Sequence, residues 1–458
     1  MARNTQNKKK LRRQARAKAF ADGTTLVQPK PAAPEPEEDT RWRICMMAKP
    51  IGPTCNLRCQ YCFYLEKEAL LDSGDHRMTH EVLDAYVRKY IESQPGKEPV
   101  AFHWQGGEPT LIGLDFYRKA TELQKRYAKG RRFTNTIQTN GTLLDNEWGR
   151  FLAKGKWMVG LSLDGPKEIH DRYRIDTQGK GSHDAVMRGL DVLKRHRVEY
   201  NVLASVTPAS TAAPLEVYHF LKLAGARFVQ FMPIVERLPD HAAEELGLQL
   251  AVGIHSGEAV QKVRMTPWSV EPGAYGEFLC RIFDEWIRND VGAFTVMNFE
   301  WALANFMGRP AGVCQWMPKC GRSPIIEYNG DVYACDHYMY PEYRLGNILT
   351  DDLQEMVQSR RQVEFGDAKL DALPGYCRQC PVGPACWGEC PKRRFLEAPG
   401  GQPGLNYLCA GYKQFFAHCA PYFRVISQLL QAGQPASKVM EMNIMVAPGN
   451  PMGRPRPL

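Results

Sequence analysis

An α/β fold built on a parallel sheet is what this sequence predicts, and three observations carry the prediction. Short apolar or β-branched runs alternate with segments whose apolar residues recur at three and four, from Ile44 to about residue 234. Several of the runs end in polar or glycine-rich stretches, at Gln105, Thr139 and Asp164. Carboxyl ends of parallel strands are where such folds bind ligands. The chain is long enough, at 458 residues, for two domains. A flat doubly wound sheet and a partial barrel both fit the alternation.

The elements follow in order. Residues 7–20, NKKKLRRQARAKAF, hold much of the formal net charge of +9. They read as a solvated tail, with a short helix on an acidic partner or nucleic acid as the alternative. Residues 28–40 are Pro-rich and acidic, so residues 1–40 are expected to be a disordered tail and linker. The N-terminus lacks an apolar core and a small-residue cleavage site, so no secretory signal is expected. No run of about 20 apolar residues occurs, so no membrane span is expected. Strands are predicted at ICMMAK from Ile44, VAFHWQ from Val100, FTNTIQT from Phe133, WMVGLSLD from Trp157, EYNVLASV from Glu199 and RFVQFMPI from Arg227. Helices are predicted between them at HEVLDAYVRKYIES, DFYRKATELQKRYAK and HDAVMRGLDVLKRH. Beyond IVERLPD the pattern turns helical, and Cys280 falls on the apolar side of its helix as a core thiol. The terminal APGNPMGRPRPL is expected to be disordered.

Fourteen cysteines bound the chemistry. Without a secretory signal a disulfide framework is not expected, and metal thiolates account for them better. Cys55, Cys59 and Cys62 occupy one short loop. Three such thiolates can hold three corners of a cubane [4Fe–4S] cluster and leave one iron open to a small chelating molecule. A zinc site borrowing a distant fourth ligand is the competing reading. Eight more cysteines, Cys314, Cys320, Cys335, Cys377, Cys380, Cys386, Cys390 and Cys409, divide evenly into two four-coordinate sites.

The C-x3-C-x2-C of Cys55, Cys59 and Cys62, with Gly106, Gly107, Glu108 and Pro109 after a second strand, closely resembles the radical S-adenosylmethionine enzymes. The resemblance implies a partial (β/α)6 TIM-type barrel over residues 41–275. S-adenosylmethionine is then the cofactor on the open iron. Tyr61, Gly106, Gly107, Glu108, Ser162, Asp164 and Arg174 are the residues expected around it. Asp164 would bond ribose hydroxyls, Arg174 would pair the methionyl carboxylate, and Glu108 or backbone carbonyls would meet the ammonium group. The glycines would let backbone approach the cofactor closely.

The run CRQCPVGPACWGEC resembles the SPASM domain, which implies two auxiliary clusters and three [4Fe–4S] clusters in all. Carried over, cluster I takes Cys314, Cys320, Cys335 and Cys390, and cluster II takes Cys377, Cys380, Cys386 and Cys409. This domain is expected over residues 313–420, after a helical connector at 276–312 and before a C-terminal helix and tail at 421–458. Cys45 and Cys419 stay outside both sets.

Over residues 44 to 420 the sequence resembles the anaerobic sulfatase-maturating enzymes, in MAKPIGPTCNLRCQYCFYLEKE, FHWQGGEPTL, QTNGTLL, SLDGP and CDHYMYPEYRLGNI. The implied activity is oxygen-independent oxidation of an active-site cysteine or serine of a sulfatase to Cα-formylglycine. An unfolded or nascent sulfatase with a Cys/Ser-x-Pro/Ala-x-Arg type motif is the implied substrate. Asp336, next to Cys335, reads as either a turn aspartate or a positioned base, and the resemblance favours the catalytic base. In the implied mechanism the cofactor yields a radical that removes a Cβ hydrogen from the target. Asp336 takes the thiol or hydroxyl proton, and the electron leaves through an auxiliary cluster. Tyr338, Tyr340 and Tyr343 are reasonable walls of the peptide cleft or shields of cluster I. A flavodoxin- or ferredoxin-type donor, a cytoplasmic location and no nucleic-acid partner complete the expectation. The alternative is another SPASM peptide maturase, making a thioether crosslink or oxidising a different residue.

Overall fold

The computed structural model describes residues 41–71, 74–253, 259–260 and 262–442. The basic tail, the Pro-rich linker and the terminal APGNPMGRPRPL lie outside the described residues. All six predicted strands form: β1 (Met47–Lys49), β2 (Val100–Trp104), β3 (Phe133–Thr139), β4 (Met158–Ser162), β5 (Glu199–Val206) and β6 (Phe228–Pro233). A seventh, β7 (Thr295–Val296), follows, and each strand lies parallel to the next. Strand order therefore matches chain order from β1 to β7. A doubly wound sheet would reverse its order at a switch point. The unbroken order decides for the partial barrel.

Helix α1 (His80–Ser93) follows β1, α2 (Leu114–Ala128) follows β2 and α3 (His183–Arg195) follows β4. Thr79 caps α1, accepting the Val82 amide at 3.2 Å. One core packs α1 and α2 on the first strands through Tyr86, Tyr117, Trp104 and Trp157, all fully buried. The second core packs α4 (Pro272–Asn289) against α5 (Cys409–Gln431), with Cys280 and Cys419 both inside it. The C-terminal helix thus begins at Cys409 and not at residue 421. Its apolar face is needed against α4, so the packing extends it back through the expected domain edge.

The cysteine-rich half is joined to the barrel sheet. Strands β8 (Ile325–Glu327), β9 (Asp331–Tyr333) and β10 (Arg344–Asn347) extend that sheet past β1. β8 runs parallel to β1, with Lys49 opposite Glu327, and β9 and β10 turn back antiparallel. One sheet therefore carries both the first cysteine loop and the loop that bears Cys335.

Candidate active site

The three-cysteine loop leaves the carboxyl end of β1. Its thiols carry their own donors: the Leu57 amide lies 3.3 Å from Cys55 Sγ, and Asn140 Nδ2 lies 3.9 Å from it. Cys62 faces the Tyr64 and Leu65 amides, and Cys59 faces the Arg174 guanidinium. Burial pushes Cys55 and Cys59 up to about 12, with each thiol in reach of its neighbours' charge. Iron must therefore displace protons from this loop. Amide donors and a cation aimed at sulfur suit thiolates that hold an iron–sulfur cluster.

The Gly-Gly-Glu-Pro stretch packs directly against the cysteine loop. A Cβ on Gly107 would sit 2.1 Å from the Thr54 carbonyl and 2.5 Å from that of Pro53. The Gly107 amide donates to the Gly52 carbonyl at 2.8 Å, and the Glu108 amide to Thr54 at 2.9 Å. These glycines allow close approach to the cysteine loop itself. Gly106, at φ +129°, makes the turn. Glu108 is fully buried, and its carboxylate accepts from the Thr110 amide and hydroxyl, from Thr139 Oγ1 and from the Asn140 amide. It ties the β2 and β3 ends together.

Tyr61, Asp164 and Arg174 meet behind Cys59. The Tyr61 hydroxyl donates to Asp164 Oδ2, and Arg174 Nε donates to the same oxygen at 2.9 Å. Asp164 Oδ1 accepts the Ser205 amide at 2.9 Å. Asp164 therefore orients Arg174. Ser162 accepts from Gln138 Nε2 at 3.0 Å. A space of about 1000 Å³ opens beside the cysteine loop, lined by Cys59, Cys62, Glu66, Leu238, Leu250 and Trp268. Tyr61, Glu108, Arg174 and Asp336, like Gly106, Gly107, Ser162 and Asp164, do not line it.

Asp336 reaches the end of β1 from the far end of the sequence. It follows β9, and its carboxylate forms an ion pair with Lys49 at the end of β1. His337 beside it packs edge-on against Phe63, with ring centroids 5.1 Å apart, and its Nδ1 lies 3.5 Å from Cys390 Sγ. Tyr338, Tyr340 and Tyr343 are buried with Ala243 and Leu248, so they form packing core beneath this loop.

Several of the distal thiols lie within reach of one another's charge. Cys335 feels the charge of Cys314, Cys390 and Cys320. Cys409 feels Cys377 and Cys380, and Cys386 feels Cys409 and Cys377. Cys377, Cys380, Cys386 and Cys409 line a space of about 390 Å³. Among the described residues no group of three or more His, Cys, Asp and Glu side chains is gathered to hold a metal ion. Two buried cations sit among the thiols. Lys369 donates to the Cys314 and Gln315 carbonyls at 2.6 and 2.8 Å, and Arg394 donates to four backbone carbonyls. Neither forms an ion pair with a carboxylate among the described residues. Arg394 lies in the field of Cys386 as well as Cys390 and Cys320. A buried cation without a counter-charge is costly, and anionic clusters at these thiols would supply one. The donor chemistry fits iron–sulfur clusters.

Sequence reasoning missed Lys49, Glu327, Lys369 and Arg394. Lys49 and Glu327 did carry a signal, a charged residue ending a short apolar run.

A partial barrel with three thiols on its first loop, joined to a cysteine-rich hairpin, defines the class. The Radical SAM superfamily model matches residues 50–220, and the SPASM model, an iron-sulfur cluster-binding domain, matches residues 314–381. The protein is an enzyme of that class and uses iron–sulfur and S-adenosylmethionine. A serine-type anaerobic sulfatase-maturating enzyme of Bacteroides thetaiotaomicron is 45% identical over 399 residues, covering 87% of this chain and 94% of its own length. A cysteine-type enzyme of Clostridium perfringens is 32% identical, covering 82% of this chain and 96% of its own. The solved structure of native anSMEcpe with bound AdoMet and Cp18Cys peptide is 30% identical, with a TM-score of 0.72. That match covers 84% of this chain and 99% of the solved one. The chain belongs to the anaerobic sulfatase-maturating enzymes.

Proposed function

We propose that this protein oxidises the target residue of a Cys/Ser-x-Pro/Ala-x-Arg type motif in an unfolded sulfatase, with Asp336 as base. Formylglycine-generating radical chemistry on a sulfatase residue is the activity of its family. The observation that carries the reading is the pairing of β8 beside β1, which sets Asp336 next to the strand that leads into the first cysteine loop.

When bound, S-adenosylmethionine on a cluster held by Cys55, Cys59 and Cys62 supplies a one-electron attack on a C–H bond. Cys314, Cys320, Cys335 and Cys390 would hold a cluster I and Cys377, Cys380, Cys386 and Cys409 a cluster II, which would supply electron-transfer chemistry there. The chain's own residues do the rest. Arg174, oriented by Asp164 and Tyr61, offers a planar donor fork to the methionyl carboxylate. Glu108, Gly106 and Gly107 hold the cysteine loop against the β2 and β3 ends, and Ser162 closes the row at β4. The target peptide lies extended beside Cys59 and Cys62 and turns its hydroxyl or thiol toward Asp336, which accepts the proton. Burial is the largest influence on Asp336 and would raise it, but the charge and hydrogen bond of Lys49 together with His337 and Lys392 outweigh it and keep its carboxyl below the usual range. Serine is the favoured target, because the serine-type relatives are 45% and 35% identical and the cysteine-type ones 31% or 32%. A flavodoxin- or ferredoxin-type protein delivers the electrons in the cytoplasm. No helix of the described residues is long and apolar enough to cross a membrane.

The test is mass spectrometry of serine and cysteine versions of a sulfatase-motif peptide. Each is incubated anaerobically with reconstituted protein, S-adenosylmethionine and reductant. A hydrazine-trapped aldehyde, formed faster from serine, is the expected product. Cofactor cleavage with an unchanged peptide would move the assignment to another SPASM maturase.

A further inference from the structure

Strand β1 ends on a buried charge. Ala48 is fully buried and Lys49 is 2% exposed. An ammonium in such a place needs compensation, and its surroundings supply more than one partner. Its Nζ lies 3.6 Å above the ring of Tyr64, within cation–π range. The Tyr64 hydroxyl donates to Glu327 Oε1 at 2.7 Å, and Glu327 is the cross-strand neighbour of Lys49. The third partner is the Asp336 carboxylate, in direct ion pair.

One ammonium thus faces two carboxyls, Glu327 fully buried and Asp336 partly buried, and they are not treated alike. Glu327 is fully buried and makes no direct salt bridge; its Oε2 meets no partner at all. Burial pushes it up to about 7 even with Lys49 near. The contact goes to Asp336. A lysine serving only to fill the strand end would need no anchoring on Tyr64 and no aim across to a loop of the other domain.

We propose that Lys49 is a positioning residue for peptide oxidation: braced by Tyr64 and Glu327, it fixes the Asp336 carboxylate in place as a proton acceptor. The proposal rests on the reading of Asp336 as the base. Lys49 itself makes and breaks no bond: the proton leaves the peptide oxygen or sulfur, goes to Asp336, and Lys49 keeps its own.

The test compares Lys49→Met, Lys49→Arg, Asp336→Asn and the Lys49→Met/Asp336→Asn double variant. Aldehyde and 5′-deoxyadenosine are measured in the same reactions, alongside iron content and melting temperature. Lys49→Met is expected to lower aldehyde about 30-fold or more while 5′-deoxyadenosine falls less than about 3-fold. Lys49→Arg should recover most of the aldehyde, and the double variant should be no slower than Asp336→Asn, since residues acting as one unit are not additive. A merely structural lysine would lower both products together. Should Lys49→Met lose its iron or its fold, Lys49→Gln, which removes the charge with less change in polarity, decides in its place. Wild-type aldehyde in the charge-free variant beside an inactive Asp336→Asn would overturn this inference alone, as would a further loss in the double variant. A fully active Asp336→Asn would overturn the reading of the base itself.

Discussion

At the scale of single residues, the site depends on contacts that leave no room for change. Gly107 shows this most sharply, because a Cβ there would lie 2.1 Å from the Thr54 carbonyl. Gly107→Ala should force the cysteine loop away from β2. We expect a cost of about 2 kcal/mol or more, with loss of iron bound by the first loop, read by iron and sulfide analysis. The Asp164–Arg174 pair is equally confined, at 3% and 10% side-chain exposure. Asp164→Ala leaves a buried guanidinium without its carboxylate and should destabilise the iron-free protein by about 3 kcal/mol, measured by denaturant unfolding. Glu327 gives a pH signature. Its folded value is raised to about 7 by burial, against an ordinary 4.5. The folded protein therefore binds the extra proton between those values. The stability this group contributes is fully present below pH 4.5 and is lost as pH rises through 7, on the order of 3 kcal/mol in all. Melting curves from pH 5 to 8 should fall more steeply for the wild type than for Glu327→Gln. Parallel curves would show that Glu327 is not the titrating group.

At the scale of elements, the sequence was readable wherever periodicity had length to show itself. The α1 segment HEVLDAYVRKYIES matches the helix His80–Ser93 residue for residue, and β3 and β5 match FTNTIQT and EYNVLASV. Each buries one face, so local pattern and tertiary packing agree. β8 and β9 have three residues each, too few for any period, and pairing of β8 with β1 joins segments far apart in the chain. That is why the Lys49–Asp336 contact, across 287 positions, was not visible. The thiol sets were legible by resemblance to a spaced motif. The cations among them were not, since a lysine inside the helix Arg360–Asp371 reads as solvated surface. Lys369→Met should leave the iron-free protein equally or more stable, because it removes an uncompensated ammonium. In the loaded protein it should shift the nearby cluster to a lower reduction potential, because a positive charge favours the more negative reduced state. Potentiometric titration followed by electron paramagnetic resonance reads this, and an unchanged potential would place the ammonium outside the cluster's field.

At the scale of the whole molecule, one sheet unites two halves that the sequence presents as separate. The barrel brings its cysteine loop, and the cysteine-rich half brings Asp336 on strands that continue the barrel sheet. Fold class, both family models and the three-cysteine loop could all be anticipated from motif and alternation. The protein contacts of Gly107, Glu108 and Asp164 could not, because each depends on which backbone or side chain folds against it. If catalysis needs both halves in one site, removing the Asp336 carboxylate should separate peptide oxidation from cofactor cleavage. The most direct measurement is the yield of peptide aldehyde per 5′-deoxyadenosine for Asp336→Asn against wild type, at equal iron content and with a serine peptide. The account predicts a drop of about 100-fold or more in that ratio, with deoxyadenosine still formed. An unchanged ratio would contradict it and would detach Asp336 from the chemistry.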